Sequence, residues 1–274
     1  MLRSLVSLGV FGVGVGAGVP AAEAAGRGEA VYFVHGVQWD ESADCEATWK
    51  DAKRVVRARG LSGALVTWGY YRGDTRCTYR VDGTLDTGIV ELGRRLAWDV
   101  YLRHSRYGRA VDVVGHSMGG LVAAAAVAGV REYGGGAWPP FLKVRDVVTL
   151  GTPFGGVTCS SERVQCRDLR AGSGFLRWLA AHQNPQGRGG TDWTLVGAHD
   201  DRRVGIRSAL GGRARHKVAY LPKQRITHYN LHHLAGDGRW RFRYTNDGAR
   251  TVRTTSKGAA PLHVTAAALT SAAR

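Results

Sequence analysis

The sequence predicts an α/β protein with one mainly parallel central sheet covered by helices on both faces. Three observations predict it. Short β-branched and aromatic runs alternate with longer segments whose apolar residues recur every three or four positions, the pattern of strands crossing over through helices. One helical segment is Ala- and Val-rich with no polar stripe, as expected of a helix packed tightly on a sheet. A chain of 274 residues, 44% of them hydrophobic, can bury a sizeable core, which excludes a wholly disordered protein.

The elements follow in order. "EAVYFVHG" (Glu29 to Gly36) reads as a buried strand. A helix is expected from about Glu41 to Arg59, with Trp49, Ala52, Val55 and Val56 on one face and Gly60 as its stop. "LSGALVTWGY" (Leu61 to Tyr70) is the second strand, and a helix from about Asp86 to His104 places Ile89, Leu92, Leu96 and Val100 together. "RAVDVVG" is a strand that runs into Ser117, followed by the helix "MGGLVAAAAVAGVREY". "KVRDVVTLGTP", "TDWTLVGAHDD" and "RHKVAYLP" supply three more strands. From Gly236 the chain turns polar and basic, so residues 236–274 read as an extension with little core, a hairpin around Asn246-Asp247-Gly248 and a frayed Ala-rich helix. The catalytic unit is then expected over residues 25–235, with no internal repeat.

The first residues have Arg3, an apolar run from Leu5 to Val19 and the small-residue stretch Ala22-Glu23-Ala24, the layout of a secretory signal peptide covering residues 1–24. Export into an oxidising compartment makes the four cysteines readable as two disulfides, Cys45–Cys77 and Cys159–Cys166 by local pairing. Close C-x-x-C pairs are absent, so no metal and no cofactor is expected. The net charge of +16 comes from arginines scattered along the chain without a nucleic-acid module. No nucleic-acid partner is expected, and peripheral attraction to anionic surfaces would be an accessory property. A monomer is expected.

"DVVGHSMGGLV" carries the chemistry. With 39 glycines in the chain, a bare G-x-S-x-G arises by chance roughly 0.2 times, so its setting must decide. Ser117 stands between Gly115 and Gly119 at a strand-to-helix junction, the place of a nucleophile on a tight turn, and the Met118 amide at the helix start can stabilise an oxyanion. A serine needs a base, and the base needs an orienting acid. After the strand "WTLVG" stand Asp200 and Asp201, of which Asp201 is favoured because Val204 can then pack back on the sheet. His228 is the first histidine after the next strand, while His232 and His233 are expected on a helix behind it. His116 is expected to point away from the relay. A second oxyanion donor is expected in "FVHGVQW", from the amide of Val37 with Gln38 as the alternative.

Taken together, "YFVHGV", "VVGHSMGG", "VTLGTPFGG", "DLRAGSGFLRWL", "HDDRRV" and "THYNL" resemble the secreted bacterial lipases and esterases of the α/β-hydrolase superfamily, small actinobacterial and Bacillus lipases among them. The resemblance covers Glu29 to Ala235. It implies an α/β-hydrolase fold and hydrolysis of an ester or lipid substrate, with Ser117, Asp201 and His228 as triad and the Val37 and Met118 amides as oxyanion hole. An acyltransferase with the same triad is the alternative, and a non-catalytic binding protein of this fold a third reading. The segment from Gly155 to Gly190 departs from the pattern: Phe175, Leu176, Trp178 and Leu179 line an acyl pocket or face the sheet.

Overall fold

The computed structural model describes residues 28–182, 190–246 and 251–270, so the expected signal segment and the turn at Asp247-Gly248 lie outside the described residues. The strands are β1 (Ala30–Val34), β2 (Leu65–Gly69), β3 (Tyr79–Arg80), β4 (Val111–His116), β5 (Val144–Leu150), β6 (Asp192–Ala198), β7 (His216–Tyr220), β8 (Trp240–Thr245) and β9 (Arg253–Gly258). They form one nine-stranded sheet in the order β3-β2-β1-β4-β5-β6-β7-β8-β9. Pairing is parallel through β7, and β8 and β9 add antiparallel. The α/β-hydrolase expectation holds.

Because side chains alternate along a strand, β1 feeds two cores. Val31 and Phe33 join Trp49, Val55 and Val56 of α1 (Cys45–Ala58) on one face. Tyr32 and Val34 join α2 (Ile89–Arg103) and α3 (Met118–Tyr133) on the other. Both early helices start later than the spacing predicts, because side-chain carboxylates select the first turn. Asp44 caps α1 by accepting from Ala47 N at 3.0 Å, and Asp168, far along the chain, accepts from Ile89 N at 2.9 Å. The short helices α4 (Val164–Leu169), α5 (Gly174–His182) and α6 (Ile206–Ala209) complete the connections up to β7.

The expectation of little core after Gly236 is overturned. Phe242 of β8 is buried against Tyr220, and α7 (Pro261–Thr270) is not frayed. It buries Leu262, Ala266 and Leu269 in the same cluster as α1 and β5. The tail reads as core-poor because so few large apolar residues do the packing, each at near-complete burial: Leu262 is 1% and Leu269 0% exposed. Replacing Leu262 by Ala should therefore cost about 2–4 kcal/mol, seen as a fall of several degrees in melting temperature; an unchanged melt would mean that the tail is no part of the core.

Candidate active site

Ser117 is the single residue between β4 and α3, with φ 53° and ψ −127°. A non-glycine residue there is strained by about 1–3 kcal/mol, and neighbours hold it: its N–H donates to Leu150 O at 2.9 Å and its carbonyl accepts from Thr152 Oγ1 at 2.9 Å. The turn presses against β1 so closely that a Cβ on Gly119 would lie 2.1 Å from the Val34 carbonyl oxygen. The glycine is therefore required by backbone approach and not by composition.

Above this turn three side chains form a continuous chain. His228 Nδ1 lies 2.8 Å from Asp201 Oδ2, and His228 Nε2 lies 2.9 Å from Ser117 Oγ. A carboxylate only accepts, so Nδ1 carries the proton and Nε2 offers its lone pair to the serine hydroxyl. The other Asp201 oxygen accepts from the amides of Arg203 and Val204, both at 2.8 Å, and Val204 is buried beneath. Asp200 does something else: it gathers the amides of Lys223, Gln224 and Arg225 at 2.9, 2.7 and 2.8 Å. Burial works to raise its pKa, but these amides win and hold it below the usual carboxylate range.

On the opposite side of Ser117, the loop after β1 comes so near that a Cβ on Gly36 would meet Ser117 Cβ at 2.8 Å. Val37 lines the same cavity as Ser117. The amide of Gln38 is directed instead at Tyr71 Oη, 3.4 Å away. Met118 is buried and opens α3, where an N–H has no acceptor within the helix.

What fixes the loop is a network that sequence reasoning missed. His35 Nε2 donates to Asp74 Oδ2 at 2.9 Å, and its Nδ1 faces the Gly36 carbonyl at 2.8 Å. Tyr70 Oη donates to the carbonyls of His35 and Gly36, 2.9 and 2.7 Å away, while its ring stacks on His35. Asp74 also accepts from the amides of Ala43, Tyr70 and Tyr71. Burial opposes its charge, yet His35 and these amides keep its pKa below the ordinary value. The Cys45–Cys77 disulfide ties α1 to the chain just beyond Asp74, and Cys159–Cys166 closes the second pair, as local pairing predicts. Asp74 has no local motif, and only the tertiary pairing across 39 residues makes it legible. His35, Cys45 and Asp74 come within 4.8 Å of one another, but the cysteine sulfur is already bonded to Cys77 and cannot also act as a thiolate ligand.

His116 makes no side-chain hydrogen bond within the relay but packs against it, its ring 4.8 Å from that of His228 and its Nε2–H donating to the His228 carbonyl at 2.8 Å. His232 stacks on it at 3.9 Å with a buried, unpartnered Nδ1. Residues 231–233, expected on a helix behind His228, lie in turns, with the Leu231 N–H on the Thr227 carbonyl at 3.1 Å and the Leu234 N–H on the Asn230 carbonyl at 3.0 Å. The cavity over Ser117 holds about 430 Å³ and is walled by Val37, Trp39, Val157 and Leu169. Phe175, Leu176 and Leu179 are absent from its walls and pack in the core, and Trp178 stacks on Tyr133, so that segment serves as a helix face.

A serine, histidine and aspartate joined in this order, at a strained turn of a mainly parallel sheet, give the arrangement of a serine hydrolase on an α/β-hydrolase fold. Residues 31–202 match the family described as "Putative serine esterase (DUF676)", and the chain belongs to that family, among hydrolases of esters. No curated protein sequence matches. Among solved structures, the product of a Listeria innocua gene, lin2722, superposes with a TM-score of 0.50 at 15% identity over 76% of this chain and 89% of that one. The esterase domain of a Rhodothermus marinus protein gives a TM-score of 0.41 at 18% identity, over 74% and 80%. A Bacillus licheniformis lipase in propeptide form gives 0.41 at 19%, over 62% of this chain and 35% of that one, so the chain spans about a third of that lipase's length.

Burial drives the pKa of His232 down to about 3 and that of His116 well below its ordinary value, with the neighbouring histidines adding to both. The unfolded chain thus binds protons below about pH 6.5 that the folded chain refuses. Stability is fully present above that pH and falls as pH drops, by up to about 1.4 kcal/mol per pH unit for each such histidine. Thermal melts from pH 7.5 to 4.5 should show a shallower decline for His232→Phe than for the wild type; parallel curves would contradict the buried neutral histidine.

Proposed function

We propose that the protein is a secreted esterase of the bacterial lipase and esterase group, working through Ser117, His228 and Asp201 by way of an acyl-enzyme. The observation that carries this reading is the pair of hydrogen bonds at His228, 2.8 Å to Asp201 and 2.9 Å to Ser117. His228 Nε2 takes the Ser117 proton as Oγ bonds to the ester carbonyl carbon, and the carbonyl electron pair moves to oxygen. The amides of Val37 and Met118 receive that oxyanion. The C–O bond to the alcohol then breaks, and the His228 proton goes to the departing oxygen. Water enters and repeats the sequence, returning the free acid and Ser117. No step needs a metal or a cofactor.

The layout of residues 1–24 and the two disulfides are compatible with export. In the mature chain the catalytic unit would run from residue 25, with residues 236–274 contributing β8, β9 and α7 to its sheet and core. An ester or lipid substrate, peripheral contact with anionic surfaces as an accessory property, and a monomeric state complete the reading.

With p-nitrophenyl butyrate, Ser117→Ala should abolish turnover while leaving the melting temperature intact. Asp201→Asn should lower kcat by about 10³–10⁴, since the amide would favour the wrong His228 tautomer. Asp200→Asn should retain most of kcat and lose stability instead; equal losses in kcat for the two aspartates would contradict the assignment. Gly36→Ala should also lose turnover in a folded protein, because its methyl displaces the serine.

A further inference from the structure

Beside the cavity over Ser117 lies a second cleft of about 640 Å³; Arg203, His228 and Tyr229 line both. The second cleft is walled by four cations, Arg202, Arg203, Lys223 and Arg225, and one carboxylate, Asp200. That carboxylate is held by backbone amides and keeps its charge, so four cations against one carboxylate leave an excess of three positive charges. Among the described residues no acid pairs with the four cations, and Arg203 engages Tyr229 alone, through Nε to Oη at 2.9 Å and with its guanidinium 5.8 Å from the ring centre. Elsewhere on the surface the arginines are often matched to acids: Arg76 to Asp44, Arg94 and Arg95 to Glu91, Arg103 to Asp99, Arg163 to Asp86.

The loop bearing two of these cations is also held in a costly shape. Lys223 and Arg225 have φ of 65° and 58°, in the left-handed region, and Asp200 clamps both amides. A solvated loop has no need of strain that sets two like charges beside two more. A ligand carrying negative charge would relieve their repulsion and use the guanidinium forks that the protein leaves open.

Resting on the esterase reading, we propose that this cleft receives an anionic group on the alcohol side of the ester. His228 must hand its proton to the departing alcohol oxygen, so the alcohol part lies against His228, and the ground beyond it is the basic cleft. The substrate class is then esters whose alcohol portion bears a carboxylate or phosphate. A soluble anionic ester and an anionic lipid headgroup offer the same oxygens.

The test compares kcat/KM for 4-butyryloxybenzoate and 4-butyryloxybenzamide, which share acyl group and size and differ in charge. A second pair, monomeric dibutyryl phosphatidylglycerol and uncharged 1,2-dibutyrylglycerol, asks the same of a headgroup. The wild type should prefer the anionic member by about tenfold at low salt, the scale of a few partly exposed charge contacts. The preference should shrink as salt rises. The ratio should fall toward one in Arg202→Gln/Arg225→Gln and survive in Arg202→Lys/Arg225→Lys, which keeps the charge. A preference in the first pair assigns soluble esters, and one in the second alone assigns a headgroup. Ratios near one in both pairs, with the neutral esters still hydrolysed, overturn the anion subsite and leave the esterase standing. Failure of the wild type to hydrolyse any of the four overturns the esterase reading and this proposal with it.

Discussion

The site depends on main chains approaching more closely than side chains permit. At Gly119 the start of α3 touches the carbonyl of Val34, and at Gly36 the loop after β1 touches Ser117 itself. These contacts bring Ser117 on one turn and the loop after β1 directly against each other. They also hold Ser117 at φ 53°, a conformation that the chain would otherwise leave. The sheet supplies the opposing rigidity, since β1 and β4 are adjacent and in parallel register from Ala30 opposite Val111 to Val34 opposite Gly115. The relay and the loop network are built on a spacing set by backbone contact.

Two histidine–aspartate pairs flank that contact and do different work. His228 with Asp201 faces the serine hydroxyl, the histidine side chain keeping 11% of its surface exposed and the aspartate none. His35 with Asp74 is almost wholly enclosed and bonded on every side, and it holds a carbonyl and a turn in place. The same residue types thus reach a serine hydroxyl in one setting and hold a loop in the other, and the partners of each ring decide which. Behind His228, His116 grips the backbone of the relay histidine, so the neutral histidine stack positions it through its main chain.

Much of this was legible in the sequence, for identifiable reasons. Strand runs such as "AVYFV" and "VVTL" are almost continuously apolar because both faces of the sheet are covered, and G-x-S-x-G sits where a tight turn demands small residues. Asp201 stood out from Asp200 through Val204, and the histidine through its place after β7. Asp74 was not legible, because its partners are distant and its neighbours, Gly73 and Thr75, look like any loop. The packing of residues 236–274 was hidden as well: Leu262, Ala266 and Leu269 follow one helix face, but alanine-rich spacing alone does not tell a buried helix from a frayed one.

The central claim is that Ser117 attacks and His228 makes it nucleophilic. Intact-protein mass spectrometry after diethyl p-nitrophenyl phosphate, followed by peptide mapping, tests it most directly. The account predicts one diethylphosphoryl adduct, on the peptide containing Ser117, forming rapidly in the wild type and orders of magnitude more slowly in His228→Ala. An adduct on another residue, or none on the folded protein, would contradict it.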